Sequence, residues 1–417
     1  MKNNDEVTSR EATQTSQEGT KKKGFRMGLL GWIILAIAAG VGVGFIIPVW
    51  GARVFATFNA IFSQFLGFCI PLIILGFVAP AIAEIGRSAG KMLLVTALLA
   101  YGFTLLAGVT SFFVSDTFFP SMISPDAYLA DGGGAPTECT PYFTVEMPPL
   151  MTVMTALVLA FVLGLGTAMI TPGTMRDWLE QLREIVSLVI RKVIVPLLPL
   201  YIFGIFLNMT VVGQVGTVLG TFAKIIAVIF GIHVFYLVFQ YCVAALVSRR
   251  KGQRNPFKML WTMMPAYFTA LGTQSSAATI PVTLRQTIAM GVNKGIAGFV
   301  IPLCATIHMS GSTLKIVACA LALMILHHMP YDFPMFMGFI AMLGITIIAA
   351  PGVPGGSIMA SLGLLSSMLG FTEADNALMI ALYIAMDSFG TACNVTGDGS
   401  IAVIVNRIFG KKQQAIA

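Results

Sequence analysis

Stretches of about twenty apolar residues recur along nearly the whole of this 417-residue chain, with few charges to interrupt them. Each is long enough to cross the ~30 Å hydrocarbon core of a bilayer as a helix. Hydrophobic residues make up 57% of the sequence and charged residues 10%, against about a quarter charged in ordinary globular proteins. A soluble protein of this length could not cover its surface with so few charges. The chain therefore reads as an all-α polytopic membrane protein. Its net charge of +7 does not point to nucleic acid, because Lys and Arg in a membrane protein mark the cytoplasmic side. Five of the six cysteines lie in apolar stretches, Cys139 being the exception. Without a metal-type Cys-x-x-Cys they read as small free hydrophobes.

Charge and length give a topology. Residues 1–24 read as a disordered polar tail, and the first apolar run, with no signal peptide before it, is expected to stay as an anchor. Spans are expected at about Met27–Trp50, Phe55–Ile85, Met92–Val114, Leu150–Ile170, Val193–Val212 and Val215–Leu246. A loop with Asp116, Asp126, Asp131, Glu138 and Glu146 follows the third. Loops with Arg176, Arg183, Arg191 and Lys192, and with Arg249, Arg250, Lys251 and Arg254, follow the fourth and sixth. A cytoplasmic N-terminus puts every basic loop inside and the acidic loop outside.

The last 160 residues break this pattern. Met259–Leu271 and Ala277–Met290 are too short to cross and flank Gly272–Ser276, which suggests a re-entrant hairpin from the inside. Gly295–Ile307 and Thr313–Leu326 flank His308–Ser312, which suggests one crossing with an unwound centre. Met335–Ala349 and Ile358–Leu369 flank Ala350–Ser357, a second hairpin entering from outside. A final span, Ala377–Ile408, ends inside near Lys411 and Lys412. The tally is about eight spanning helices plus two re-entrant hairpins, with residues 411–417 as a cytoplasmic tail. Irregular backbone at membrane depth is tolerated only inside protein or beside water. Three such breaks therefore predict a buried polar site where opposed hairpin tips meet. Their helix N-termini favour a carboxylate, and their bare carbonyls suit hard cations. On the final span, Asp387, Thr391, Asn394 and Asp398 follow at intervals of 4, 3 and 4. They share a stripe of about 60° over about 16 Å of helix. Two carboxylates there need a cation, a proton or donors.

Four segments carry a family resemblance: Thr273–Thr283 with its serine-rich tip, Ala305–Ser312, Gly352–Gly355, and Asp387–Asp398 with Asn394-Val395-Thr396-Gly397-Asp398. In this order they resemble the glutamate transporter family, the dicarboxylate/amino acid:cation symporters. The resemblance covers about residues 27–410. It implies an elevator fold with inverted repeats, and a homotrimer in a prokaryotic inner membrane with both termini cytoplasmic. Helices 1, 2, 4 and 5 of residues 25–257 would form the trimer scaffold. Helices 3 and 6 would move with a transport core at 258–410, and the second hairpin would be the outer gate. It further implies that Ser275, Ser276 and the backbone of Val353, Pro354 and Gly355 hold a substrate α-carboxylate. Asp387 would hold the α-amino group, and Thr391 and Asn394 would complete the pocket. Asn394 and Asp398 would border a sodium site, with carbonyls near His308 and Ser310 contributing. Sodium is the one bound species implied; no other cofactor is.

The chain departs from the pattern in three ways. The family's acidic-substrate members carry Arg three residues after the amino-binding Asp, where this chain has Gly390; other relatives carry it at the position of Gln274. With no cation at either place, a neutral amino acid is expected, and Gly390 is expected to leave extra volume. Gln274 is left as either a partner for a polar side chain or a turn residue. Second, His308 and Ser310 stand where the family break carries Asn and Asp, and the third-helix partners align with Thr96 and Leu99, so one sodium site looks dismantled. Third, Lys315 lies near the midplane, too deep for easy snorkelling. It is expected either to neutralise Asp398 in place of sodium or to line a watery crevice, while His308 is either a proton carrier or a satisfied polar residue. His233 reads as a helix-contact residue. The alternative substrate is a dicarboxylate or acidic amino acid, which requires Lys315 or Arg285 to reach the pocket. The paired gates argue against a channel. A serine hydrolase built on His308 with Ser310 or Ser276 lacks an oxyanion motif.

Overall fold

The computed structural model describes residues 29–87, 91–123, 140–170, 173–213, 215–248, 253–348 and 355–413. The tail 1–24, Cys139, most of the acidic loop, Arg249–Lys251, and Val353 and Pro354 lie outside them. The described residues contain helices and no strand.

Six helices lead to the core: α1 (Leu29–Gly44), α2 (Val49–Arg87), α3 (Lys91–Met122), α4 (Val153–Met169), α5 (Thr174–Val189) and α6 (Val195–Val211). Helix α7 (Val215–Ser248) follows. The first hairpin is α8 (Pro256–Thr273) and α9 (Ser276–Ala289). The broken crossing is α10 (Lys294–Ile307) and α11 (Ser310–Leu326). The second hairpin is α12 (Phe333–Ile348) and α13 (Gly356–Leu369), with its tip outside the described residues. The chain ends in α14 (Glu373–Ala385) and α15 (Asp387–Gln413).

Four of these runs meet the length and apolarity of a single crossing outright: α2, α3, the run α5–α6 and α7. The broken α10–α11 is a fifth, and α14–α15 makes a sixth if its bent halves cross as one. The expected eight are reached only if α1 and α4, of 16 and 17 residues, cross as well. Helix α11 lies at the centre, with every residue from Ser310 to Met324 buried, as an all-round apolar helix requires. It packs on α3 and α15, while α7 and α8 pack on α15. On the other side α1 packs on α6, and α2 on α4, α5 and α6.

Three expectations are corrected here. Arg176, Arg183, Arg191 and Lys192 are not in a loop. They ride on a continuous helical run from Thr174 to Val211, with one wide turn at Ile190–Ile194. Leu179, Val186, Ile190 and Ile194 form its buried stripe, and the charges between them hid the helical period. Helix α3 runs eight residues beyond Val114, so Asp116 sits on it and accepts from Tyr331 Oη at 3.1 Å. The final span is not one helix: α14 and α15 meet at 62°. No Gly or Pro marks the bend. Met386 N–H turns to Tyr383 O, and Met386 O accepts from Lys315 Nζ at 3.2 Å in addition to Phe389 and Gly390 N–H.

Close packing of α1 on α6 uses two glycines four residues apart, the small-residue spacing of membrane helix contacts. A Cβ at Gly40 would stand 2.6 Å from Phe203 O, and one at Gly44 2.6 Å from Thr210 Cβ, whereas one at Gly42 meets nothing. Gly40→Leu is expected to lower stability by about 1–3 kcal/mol, read as the melting midpoint of the purified protein in detergent. Gly42→Leu should leave it unchanged.

Candidate substrate pocket and coupling centre

A cavity of about 90 Å³ lies where both hairpins, the broken crossing and the bent helix pair meet. Gln274, Ser275, Ser276, Asp387, Thr391 and Asn394 all line it, from segments far apart in sequence. Ser312, Gly356, Ser357 and Tyr383 line it too and were not singled out by sequence. Helices α9, α11, α13 and α15 all begin at or beside it. Four positive helix ends and their first-turn N–H groups therefore converge on one small volume, an arrangement suited to an anionic group.

Each lining group has local causes. Gln274 is left-handed (φ 53°) and ends α8. The same residue donates through Nε2 to Ser388 Oγ at 2.7 Å, tying the hairpin to α15. Ser275 caps α9, its Oγ accepting from Ala278 N. Gly355 is left-handed at the start of α13 (φ 77°) and its N–H donates to Asp387 Oδ2 at 2.8 Å. Asn394 fastens α15 to the break: Oδ1 accepts from Gly311 N at 2.8 Å and Nδ2 donates to Ser312 Oγ at 3.2 Å. Gly311 permits that approach, because a Cβ there would stand 2.5 Å from both Cys393 Cβ and Gly390 O.

Asp387 and Asp398 each meet a basic side chain of the broken crossing, and neither of the two roles expected of Lys315 is the one seen. Lys315 does not neutralise Asp398. Its Nζ is 3.4 Å from Asp387 Oδ1 and 3.8 Å from the Tyr383 ring centre. Asp398 Oδ1 is instead 2.9 Å from His308 Nδ1, with both residues buried. The same ring nitrogen is 3.2 Å from Asn394 O, and His308 Nε2 is 3.2 Å from Gln240 Nε2, which also donates to Ser310 Oγ at 3.3 Å. So His308 Nδ1 stands between the two oxygens expected to border a cation. Gln240 was missed, although a glutamine inside an apolar 34-residue helix is itself a signal of an intramembrane polar site.

Two further expectations change. Gly390 leaves no spare volume and does not line the cavity; a Cβ there would run into Lys315 Cε and Nζ. The third-helix hydroxyl at the break is not Thr96, which bonds to its own Met92 O. Thr104 accepts from Met309 N at 3.3 Å, and Ser111 donates to Leu314 O at 2.7 Å. His233 contacts a neighbouring helix, its Nε2 lying 3.2 Å from Tyr267 Oη.

A small cavity lined by carboxylate, amide and hydroxyl side chains where broken helices meet fits the site of a membrane carrier, and the sequence comparisons agree. Residues 29–408 match the model of the sodium:dicarboxylate symporter family, and the chain belongs to that family. It is 28% identical over 389 residues to a serine/threonine transporter of Acinetobacter baumannii strain ATCC 17978, covering 89% of this chain and 95% of that protein. The serine/threonine transporter of strain AYE is 27% identical over the same coverage. The protein is thus a multi-pass membrane transporter and not an enzyme.

The fit of Lys315 against Gly390 gives a coupled prediction. Gly390→Ala is expected to lower the melting midpoint, with a penalty of about 1–3 kcal/mol from overpacking. In a Lys315→Ala background the same change should cost less than ~0.5 kcal/mol. A double-mutant thermal cycle measures the difference.

Proposed function

We propose that the protein is a secondary active transporter that symports a small neutral amino acid with a cation by an elevator movement. The observation that carries this reading is the cavity where four helix N-termini meet Asp387 and Thr391. The N-termini of α9 and α13 take the substrate carboxylate. Asp387 takes the amino group, and Thr391 and Ser357 face the small side chain. That the two relatives are named serine/threonine transporters favours a hydroxyl amino acid. The moving core is 258–410 with α3 and α7, which pack on α11 and α15; the scaffold of a homotrimer is α1, α2, α4 and α5–α6. The trimer sits in a prokaryotic inner membrane with both termini cytoplasmic, and the second hairpin is the outer gate.

The coupling centre is the His308–Asp398 pair. Asn394 O and Asp398 Oδ1 are hard oxygen donors of the kind sodium needs, and sodium is named in the family description. The cation enters either as sodium, with the imidazole turned aside, or as a proton carried by the imidazole. Thr104 and Ser310 complete the surroundings. A second substrate reading, an acidic amino acid or dicarboxylate, is favoured by one observation: the Lys315 ammonium lies directly behind the pocket wall at Asp387.

Labelled serine and labelled aspartate uptake into proteoliposomes, each under a sodium gradient and under a sodium-free proton gradient, tests the reading. Serine uptake is expected, and Asp387→Asn should abolish it while the protein keeps its oligomeric state. Aspartate uptake without serine uptake would overturn the neutral substrate, and unchanged uptake by Asp387→Asn would overturn the pocket.

A further inference from the structure

Lys315 has no part in the cycle just described, yet its ammonium is held on three sides. It donates to Met386 O at 3.2 Å and to Asp387 Oδ1 at 3.4 Å, and lies 3.8 Å from the Tyr383 ring centre. The residue is 2% exposed. A backbone carbonyl, a carboxylate and an aromatic face are groups that hold a free monovalent cation or an organic ammonium; here the carbonyl, Met386 O, also accepts from Phe389 and Gly390 N–H. Gly390 completes the seat by having no side chain where Cε and Nζ lie. The bend at Met386 completes it too, by turning a backbone oxygen toward the lysine.

We propose that Lys315 is a tethered cation. In the substrate-free carrier it fills a monovalent-cation seat formed by Met386 O, Asp387 and Tyr383, so the empty pocket needs no bound inorganic ion beside Asp387. The proposal rests on the reading of Asp387 as the ligand of the substrate's amino group. The charge count is simple. Asp387 contributes −1 and Lys315 +1, so the empty pocket is neutral, and an amino-acid zwitterion adds nothing to the sum. The substrate ammonium then shares Asp387 with Lys315, while its carboxylate meets the N-termini of α9 and α13. Without Lys315 the empty site holds an uncompensated buried carboxylate, which is strongly destabilising and would draw in a free cation. The empty carrier can therefore reorient across a low-dielectric core without a counter-ion.

The test compares purified wild type, Lys315→Gln and Lys315→Gln/Asp387→Asn by thermal unfolding in choline chloride, then in rising sodium chloride and potassium chloride. Wild type should show no shift that the double variant lacks. Lys315→Gln should melt lower in choline and regain its midpoint saturably in sodium or potassium, as mass action at a vacated site requires. The double variant, with neither charge, should lose that rescue. A Lys315→Gln protein that folds but responds to neither salt would overturn the seat. So would one that fails to fold in every salt while the double variant folds. If neither variant folds, wild-type net uptake decides, with choline or potassium as the only cation inside the vesicles. Equal rates are expected, and a requirement for internal potassium would overturn the proposal. The unfolding arm contains no substrate, so a failure of serine uptake would refute the amino-acid reading and leave the tethered cation standing.

Discussion

A carboxylate buried in a membrane protein must have a partner, and the centre of this structure is arranged around that requirement. Helix α15 carries two such groups, Asp387 and Asp398, 5% and 1% exposed. The broken crossing α10–α11 supplies a basic side chain to each, His308 from the break itself and Lys315 from two turns further on. The other features of the site accommodate these pairs. Gly390 clears a path for Lys315, the bend at Met386 gives it a second acceptor, and Gly311 brings the break against α15. Asn394 bonds Gly311 N–H and Gln240 bonds Ser310 Oγ beside the two pairs.

The same arrangement accounts for the pocket. Hairpin tips leave backbone N–H groups without partners inside their own helices, and those groups must point at something polar. Asp387 is already held by Gly355 N–H and Lys315, and the remaining polar lining is hydroxyls, amides and helix N-termini. Such a surface favours an anionic group, which every amino acid and every dicarboxylate has. On the proposed reading, discrimination among them lies in how readily a substrate ammonium shares Asp387 with Lys315, and in the hydroxyls opposite. Membership of the sodium:dicarboxylate symporter family sets the class of chemistry, and these details distinguish this chain within it.

Much of the fold was legible because membrane helices write their lengths plainly. The hairpins were marked by Gly, Ser and Pro at membrane depth, and the stripe of Asp387, Thr391, Asn394 and Asp398 needed only helical arithmetic. What was hidden depended on rotation and direction. The bend at Met386 carries no Gly or Pro to mark it. The helical run from Thr174 to Val211 was masked by Arg176, Arg183, Arg191 and Lys192 on its exposed and half-buried sides. The pairing of charges was read wrongly although the topology already contained the answer. The broken crossing and the final helix run antiparallel, so their residue orders are reversed. Lys315, further along α11, therefore meets Asp387 at the start of α15, and His308 meets the later Asp398. Thr104 was missed in favour of Thr96 because the offset between two packed helices cannot be read from either helix alone.

The central claim is that both buried carboxylates of α15 are compensated by side chains of the chain itself. A cryo-electron microscopy map of the protein in lipid nanodiscs, prepared in choline chloride without substrate, sodium or potassium, tests it most directly. The account predicts continuous density from Lys315 to Asp387 and from His308 to Asp398 in the same particle class. Lys315 turned away from Asp387, or a collapsed and rearranged α15 in the absence of small cations, would contradict it.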